Sequence, residues 1–109
     1  MITEDYLQVE CYKWFHNTYP ELRGLLCYNY NNSKNRIQGA MNKSKGLQAG
    51  RSDFVFYRNG IARMIELKVD GGKQSPDQKK WETLIKQNGF EYYVVWSLTE
   101  FQTLLKQWI

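Results

Sequence analysis

The dipeptide Asn59-Gly60 most constrains this chain, because it sits between two runs rich in Phe, Val, Tyr and Ile, residues 54–58 and 61–67. Asn-Gly suits a two-residue type I′ turn, in which both central residues need positive φ. With that turn, Arg58 faces Ile61, Phe54 faces Ile65, and Asp53 falls opposite Glu66. Strand side chains alternate, so Asp53, Val55 and Tyr57 share a face with Ala62, Met64, Glu66 and Lys68. Two carboxylates and an ammonium therefore gather at one end of one face. Like charges directly opposed across a sheet repel. A shared proton, Lys68 or a divalent cation would offset that repulsion.

At 109 residues the chain is expected to form one domain, residues 1–109. An apolar content of 42% and an aromatic content of 16% fit a packed core and argue against disorder. No apolar run approaches a membrane span, and the polar, acidic start does not read as a signal peptide. Cys11 and Cys27 are too few for a metal knuckle or a disulfide framework and read as reduced thiols of a cytosolic protein. With His16 the only histidine, zinc sites and a Ser-His-Asp triad have little support. The charge is uneven. Residues 22–52 hold no acid but carry Arg23, Lys34, Arg36, Lys43, Lys45 and Arg51. A basic segment beside an acidic cluster points to a polyanionic partner such as a nucleic-acid backbone; the plain alternative is a solvated basic face.

Along the chain, residues 3–17 read as a helix with Leu7, Cys11, Trp14 and Phe15 on its apolar arc. Glu4 falls on that arc, Gln8 at its flank and Glu10 just outside it. A carboxylate there is either a solvated first-turn charge or a member of a site. Residues 24–30 are strand-like, 36–45 suit a short helix, and the glycines of "GLQAG" suit a tight path into the hairpin. Ser75-Pro76-Asp77-Gln78 is a capping-box helix start, with Trp81, Leu84 and Ile85 as the buried face and Gly89 as the stop. "FEYYVVW" reads as the last strand, and Ser97 to Glu100 opens a final helix reaching about Trp108. The order α-β-α-β-β-α-β-α predicts a small α/β domain with a mixed sheet flanked by helices.

Asp53 and Glu66 offer oxygen ligands to a hard cation such as Mg²⁺, which takes one or two carboxylates and completes its shell with water and phosphate oxygens. Lys68 on the same face would orient or deprotonate a water, or stabilise charge on a phosphoryl transition state. The competing reading is an exposed ion cluster at a sheet edge, bridged by Lys68 and worth little energy.

Ser52-Asp53, the twelve-residue gap and Glu66-Leu67-Lys68 resemble the core motif of the PD-(D/E)xK nuclease superfamily. The chain is similar in particular to small stand-alone VRR-NUC nucleases, many of them phage-encoded. "GLQAGRSD" resembles that family's Gly-rich approach to its Pro-Asp, with Ser52 in place of the usual proline. "QSPDQKKWETLIKQNG" resembles its Ser-x-x-Gln helix, and "YNNSKNR" its Asn-rich loop and arginine. The resemblance implies a restriction-endonuclease-like core and metal-dependent endonuclease action on DNA, with branched or flap DNA as a substrate class. It implies Asp53, Glu66 and the Leu67 carbonyl as ligands of Mg²⁺ or Mn²⁺, Lys68 as catalytic, and Gln78 near the site. Glu4, Gln8 and Glu10 can each be aligned with its helical acidic ligand, and Glu4 is taken. Lys34, Arg36, Lys43, Lys45 and Arg51 are the expected DNA contacts. A homodimer in the cytoplasm, the host's if the chain is phage-encoded, without membrane or organic cofactor, completes the expectation. The alternative is a catalytically silent nucleic-acid-binding module or a partner-activated nuclease subunit.

Overall fold

A computed structural model describes residues 2–30 and 35–109. In chain order the elements are α1 (Glu4–Thr18), a 3-10 turn (Pro20–Leu22), β1 (Leu26–Tyr28), α2 (Arg36–Ser44), β2 (Phe54–Arg58), β3 (Ile61–Leu67), α3 (Pro76–Gln87), β4 (Glu91–Val95) and α4 (Leu98–Lys106). The sheet order is β1-β2-β3-β4; β1 and β3 run antiparallel to β2, and β4 runs parallel to β3. The expected mixed sheet with flanking helices is therefore the observed one. Among the described residues no helix is long and apolar enough to cross a membrane.

The hairpin forms in the register that its turn dictates. Asn59 and Gly60 both have positive φ, 51° and 78°, and the ladder pairs Arg58 with Ile61 through to Phe54 with Ile65. Alternation then sorts its residues. Phe54, Phe56, Ile65 and Leu67 point to one face and pack with Leu7, Cys11 and Phe15 of α1 and with Phe101 and Leu105 of α4. Val55 and Met64 point to the other, join Tyr92 of β4, and are covered by Trp81 and Ile85 of α3. The acidic end of the hairpin lies on this second face.

Some boundaries differ from the sequence reading. β1 is only three residues long; before its start Gly24 has a φ of 98°, outside the extended region. Trp14 is only partly buried, at the edge of the α1 core. Leu84 is exposed, contrary to its expected place on the buried face of α3. The helix needs a narrow stripe here, since Trp81 and Ile85 already cover the short row of Val55, Met64 and Tyr92. The last helix ends at Lys106, and Trp108 beyond it stacks on Phe56.

The Gly-rich approach to β2 passes against the start of α3 rather than against the sheet. Gly50 has a φ of 79°, and a Cβ there would lie 2.3 Å from the Asp77 carbonyl carbon and oxygen and 2.7 Å from Gln78 N. No side chain fits, so glycine is required on both steric and dihedral grounds. Gly50→Ala is expected to lower the unfolding free energy by about 2 kcal/mol or more, the scale of forced backbone strain. Urea denaturation of the two proteins checks this.

Candidate active site

Three elements build the site. The end of β3 supplies Glu66 and then Lys68, the residue before β2 supplies Asp53, and the first turn of α3 supplies Gln78. Since β3 is an interior strand covered by α3, the acids are not an exposed cluster at an edge. Glu66 is fully buried and Lys68 is 5% exposed. The reading of a loosely solvated ion group is thereby excluded.

Asp53 lies just beyond the last ladder pair, Phe54 with Ile65. Its main-chain oxygen accepts from Asn29 N at 2.9 Å. Its side chain turns across the sheet end, and Oδ2 accepts the Leu67 N–H at 2.6 Å. The carboxylate thus satisfies a main-chain donor just past the end of the strand ladder. Ser52 is buried and donates its hydroxyl to the Phe54 carbonyl at 3.0 Å.

Glu66 Oε1 accepts from Tyr92 Oη at 2.5 Å and from Gln74 Nε2 at 3.0 Å. Its Oε2 is buried and receives no hydrogen bond, with Lys68 Nζ at 3.6 Å as its counter-charge. Lys68 Nζ donates to Gln78 Oε1 at 3.0 Å. The same Gln78 oxygen accepts Ser75 N at 2.8 Å, and Gln78 N donates to Ser75 Oγ at 3.1 Å. Gln78 is therefore both the capping-box residue of α3 and the residue that fixes the lysine.

In front of this group opens a cavity of about 400 Å³ lined by Glu4, Asp5, Gln8, Tyr28, Gly50, Asp53, Lys68, Lys73, Ser75, Asp77 and Gln78. Glu4 and Gln8 both reach it. Glu10 does not, and instead lines a separate cavity with Asp70 and Trp96. Among the described residues no three His, Cys, Asp or Glu side chains are close enough to hold one ion together. The acids that meet are a pair, with Glu4 across the cavity.

Electrostatics single out Asp53. Its carboxyl is raised on balance from 3.8 to about 6, and burial is the largest cause. The Leu67 N–H and Lys68 pull against that, while the charges of Glu4 and, to a lesser degree, Glu66 add to it. Burial, and after it the bond to Glu66, also push the Tyr92 phenol well above its ordinary range, so it remains a donor. Both cysteines are free, and burial together with the charge of Glu10 pushes the Cys11 thiol up to about 12.

The expected DNA contacts fall in three places. Arg36, Lys43 and Lys45 are exposed on and just after α2, and Lys43 borders a cavity of about 990 Å³ against α3 with Lys80, Trp81 and Leu84. Arg51 is half-buried and donates to Asn29 Oδ1 at 2.7 Å. Lys34 lies outside the described residues. Tyr92 and Gln74 escaped the sequence reading. Tyr92 was within reach of it, because a β4 parallel to β3 places Tyr92 and Val94 on the Glu66 face by alternation. Gln74, in an aperiodic loop, gives no such signal.

The class that fold and site define is a small α/β domain with a mixed sheet, carrying an acid pair and a lysine where β2 begins and β3 ends. The VRR-NUC domain family model matches residues 3–97, and the chain belongs to that family, whose domains are of nuclease type and generally depend on divalent metals. Two solved structures share the fold. One described as a VRR_NUC domain protein has a TM-score of 0.80 at 22% identity, over 100% of this chain and 89% of its own. Another, described as a VRR_NUC domain, has a TM-score of 0.59 at 18% identity, over 93% and 96%. A comparison with curated proteins found no match.

The raised carboxyl of Asp53 has a signed consequence in the metal-free protein. A group that binds its proton more tightly folded than unfolded costs stability as pH rises through the interval between the two values. Wild type is expected to lose stability between pH 3.8 and about 6 on this account. Asp53→Asn keeps an acceptor for the Leu67 N–H and removes the charge. In EDTA its melting temperature should exceed that of wild type most at pH 7–8, with the gain vanishing near pH 4; thermal melts across that range are the check.

Proposed function

We propose that this protein is a metal-dependent endonuclease that hydrolyses DNA phosphodiester bonds, with Asp53, Glu66 and the Leu67 carbonyl as the ligands of Mg²⁺ or Mn²⁺. The observation that carries the reading is Oε2 of Glu66, a buried carboxylate oxygen that accepts no hydrogen bond and has one ammonium, Lys68 Nζ at 3.6 Å, to balance it and a second, part-buried carboxylate together. A buried charge of this kind is costly without a compensating partner. All-oxygen donors of this number suit a hard divalent cation that keeps several solvent ligands, so the residues present fit the group. When bound, the cation would polarise the phosphodiester and lower the pKa of a water.

The chain's own groups have separate tasks. Asp53 and Glu66 are held from behind, by Leu67 N and by Tyr92 and Gln74. Lys68, pinned between Gln78 and Glu66, lines the cavity and would stabilise the charge that builds on a phosphate oxygen bound there. Gln78 holds that lysine in place. Glu4 occupies the place of the helical acid, supported by its charge being felt at Asp53 ahead of that of Glu66. Arg36, Lys43 and Lys45, with Lys34 and Arg51, supply positive charge to the phosphate backbone. Branched or flap DNA is the substrate class that the family resemblance suggests, and two copies acting together would cut both strands. A pure binding module gains nothing from acids turned toward a phosphate backbone, which disfavours that alternative.

Glu66→Gln is expected to abolish nicking of supercoiled plasmid in Mg²⁺ or Mn²⁺ while DNA affinity is kept or rises, since a negative charge is removed. Wild-type nicking by this variant, or wild-type activity that persists in EDTA, overturns the assignment. Alanine at Arg36, Lys43 or Lys45 should each lower the slope of log affinity against log salt by about one unit if the residue neutralises a phosphate. Slopes equal to wild type return these residues to a solvated face. Glu4→Gln should lower cleavage with little change in metal-free stability, whereas Gln8→Ala should cut normally. The reverse result places the helical site residue one turn further along α1.

A further inference from the structure

The two oxygens of Glu66 are held unequally. Oε1 accepts two hydrogen bonds, from Tyr92 Oη at 2.5 Å and Gln74 Nε2 at 3.0 Å, whereas Oε2 accepts none. A carboxylate oxygen has two lone-pair directions, and both of Oε1's are taken. The donors are themselves fixed. Tyr92 lies opposite Met64 in the β3–β4 ladder, and its ring packs edge-on against Trp81 of α3 at 5.9 Å between centroids. Gln74 Nε2 spends its second hydrogen on Glu82 Oε1 at 2.7 Å, and Glu82 is paired with Lys86 at 2.5 Å. The amide thus ties the loop before α3 to the helix and to the strand at once.

Rotating the Glu66 carboxylate, or bringing Oε1 to an ion as a second ligand atom, would break these bonds. We propose that Tyr92 and Gln74 are positioning residues that grip Glu66 by Oε1 and so present Oε2 alone to the divalent cation. This rests on the reading of Asp53 and Glu66 as a metal pair. Neither residue touches the cation or the DNA; both act through Glu66. Groups that hydrogen-bond a ligating side chain preset its orientation, and their loss typically weakens metal affinity by about 10- to 100-fold.

The test is a Mn²⁺ titration of the DNA-free protein, with unbound Mn²⁺ read by electron paramagnetic resonance, for wild type, Tyr92→Phe, Gln74→Ala and Glu66→Gln. Tyr92→Phe removes one hydroxyl from an otherwise unchanged ring, and Gln74 lies in a loop, so the second variant stands if the first fails to fold. Each is expected to bind Mn²⁺ about tenfold or more weakly than wild type, with cleavage largely restored at saturating Mn²⁺. A merely structural role would lower the melting temperature in EDTA and leave Mn²⁺ affinity unchanged. The proposal alone is overturned if Glu66→Gln loses Mn²⁺ while both other variants bind within about twofold of wild type, well short of the loss expected. If wild type and Glu66→Gln bind alike, the metal-pair reading falls and this proposal falls with it.

Discussion

Glu66 puts a carboxylate on an interior strand, beneath a helix, where alternation calls for an apolar side chain. A charge in that place is tolerated only when enough donors and counter-charges are built around it. Tyr92 reaches it from the neighbouring parallel strand, Gln74 from the loop before α3, and Lys68 from two residues along its own strand. Each partner comes from a different part of the chain, so the Oε1 side of the carboxylate is satisfied only when β4, the loop and α3 are all in place. The two apolar rows that fasten α3 to the sheet, Val55, Met64 and Tyr92 against Trp81 and Ile85, thereby also set the electrostatics of the site.

The first turn of α3 is the second point on which the arrangement hangs. The Gln78 oxygen takes the Ser75 N–H as any capping box would, and then takes Lys68 Nζ as well. At the same turn the Asp77 main chain lies so close to Gly50 that no side chain fits between them. The helix start therefore holds the lysine and, through Gly50, locates the segment that delivers Asp53. Local capping energy of about 1 kcal/mol is small beside that geometric consequence. Gly72 is also tight, beside Lys68 and Glu4, where a Cβ would lie 2.9 Å from the Val69 carbonyl oxygen.

The hairpin was legible because Asn59-Gly60 admits few turns and one register, and register decides which residues share a face. From this alone followed the gathering of Asp53, Glu66 and Lys68, which the structure shows. What alternation does not report is depth. The same pattern fits an acid pair on a solvated edge, and only the position of β3 inside the sheet and under α3 makes the pair buried. Leu84 went wrong for a related reason: helical period marks an apolar side but not how wide a surface awaits it. Glu4 and Gln8 remained undivided in the sequence because they stand one turn apart, and both do reach the cavity. Gln74 was invisible, since its service depends on where an aperiodic loop passes.

The opposing pulls on Asp53 show why such a site is built at the end of a strand pair rather than in its middle. Within the ladder, the Leu67 N–H would go to a main-chain oxygen, and an acid would have nothing to hold it. Where the ladder stops, Asp53 Oδ2 takes that N–H, which favours the ionised form and aims the carboxylate across the strands. Burial works against ionisation more strongly, and the neighbouring acids add to it. The net result is a carboxyl fixed in direction yet under-compensated in charge. A rigid, partly desolvated acid pair with one lysine is short of positive charge, which is the condition under which the proposed cation would gain both affinity and a defined place. Orientation by the main chain and deficiency of charge are separate properties, and the end of a β ladder beneath a helix provides both.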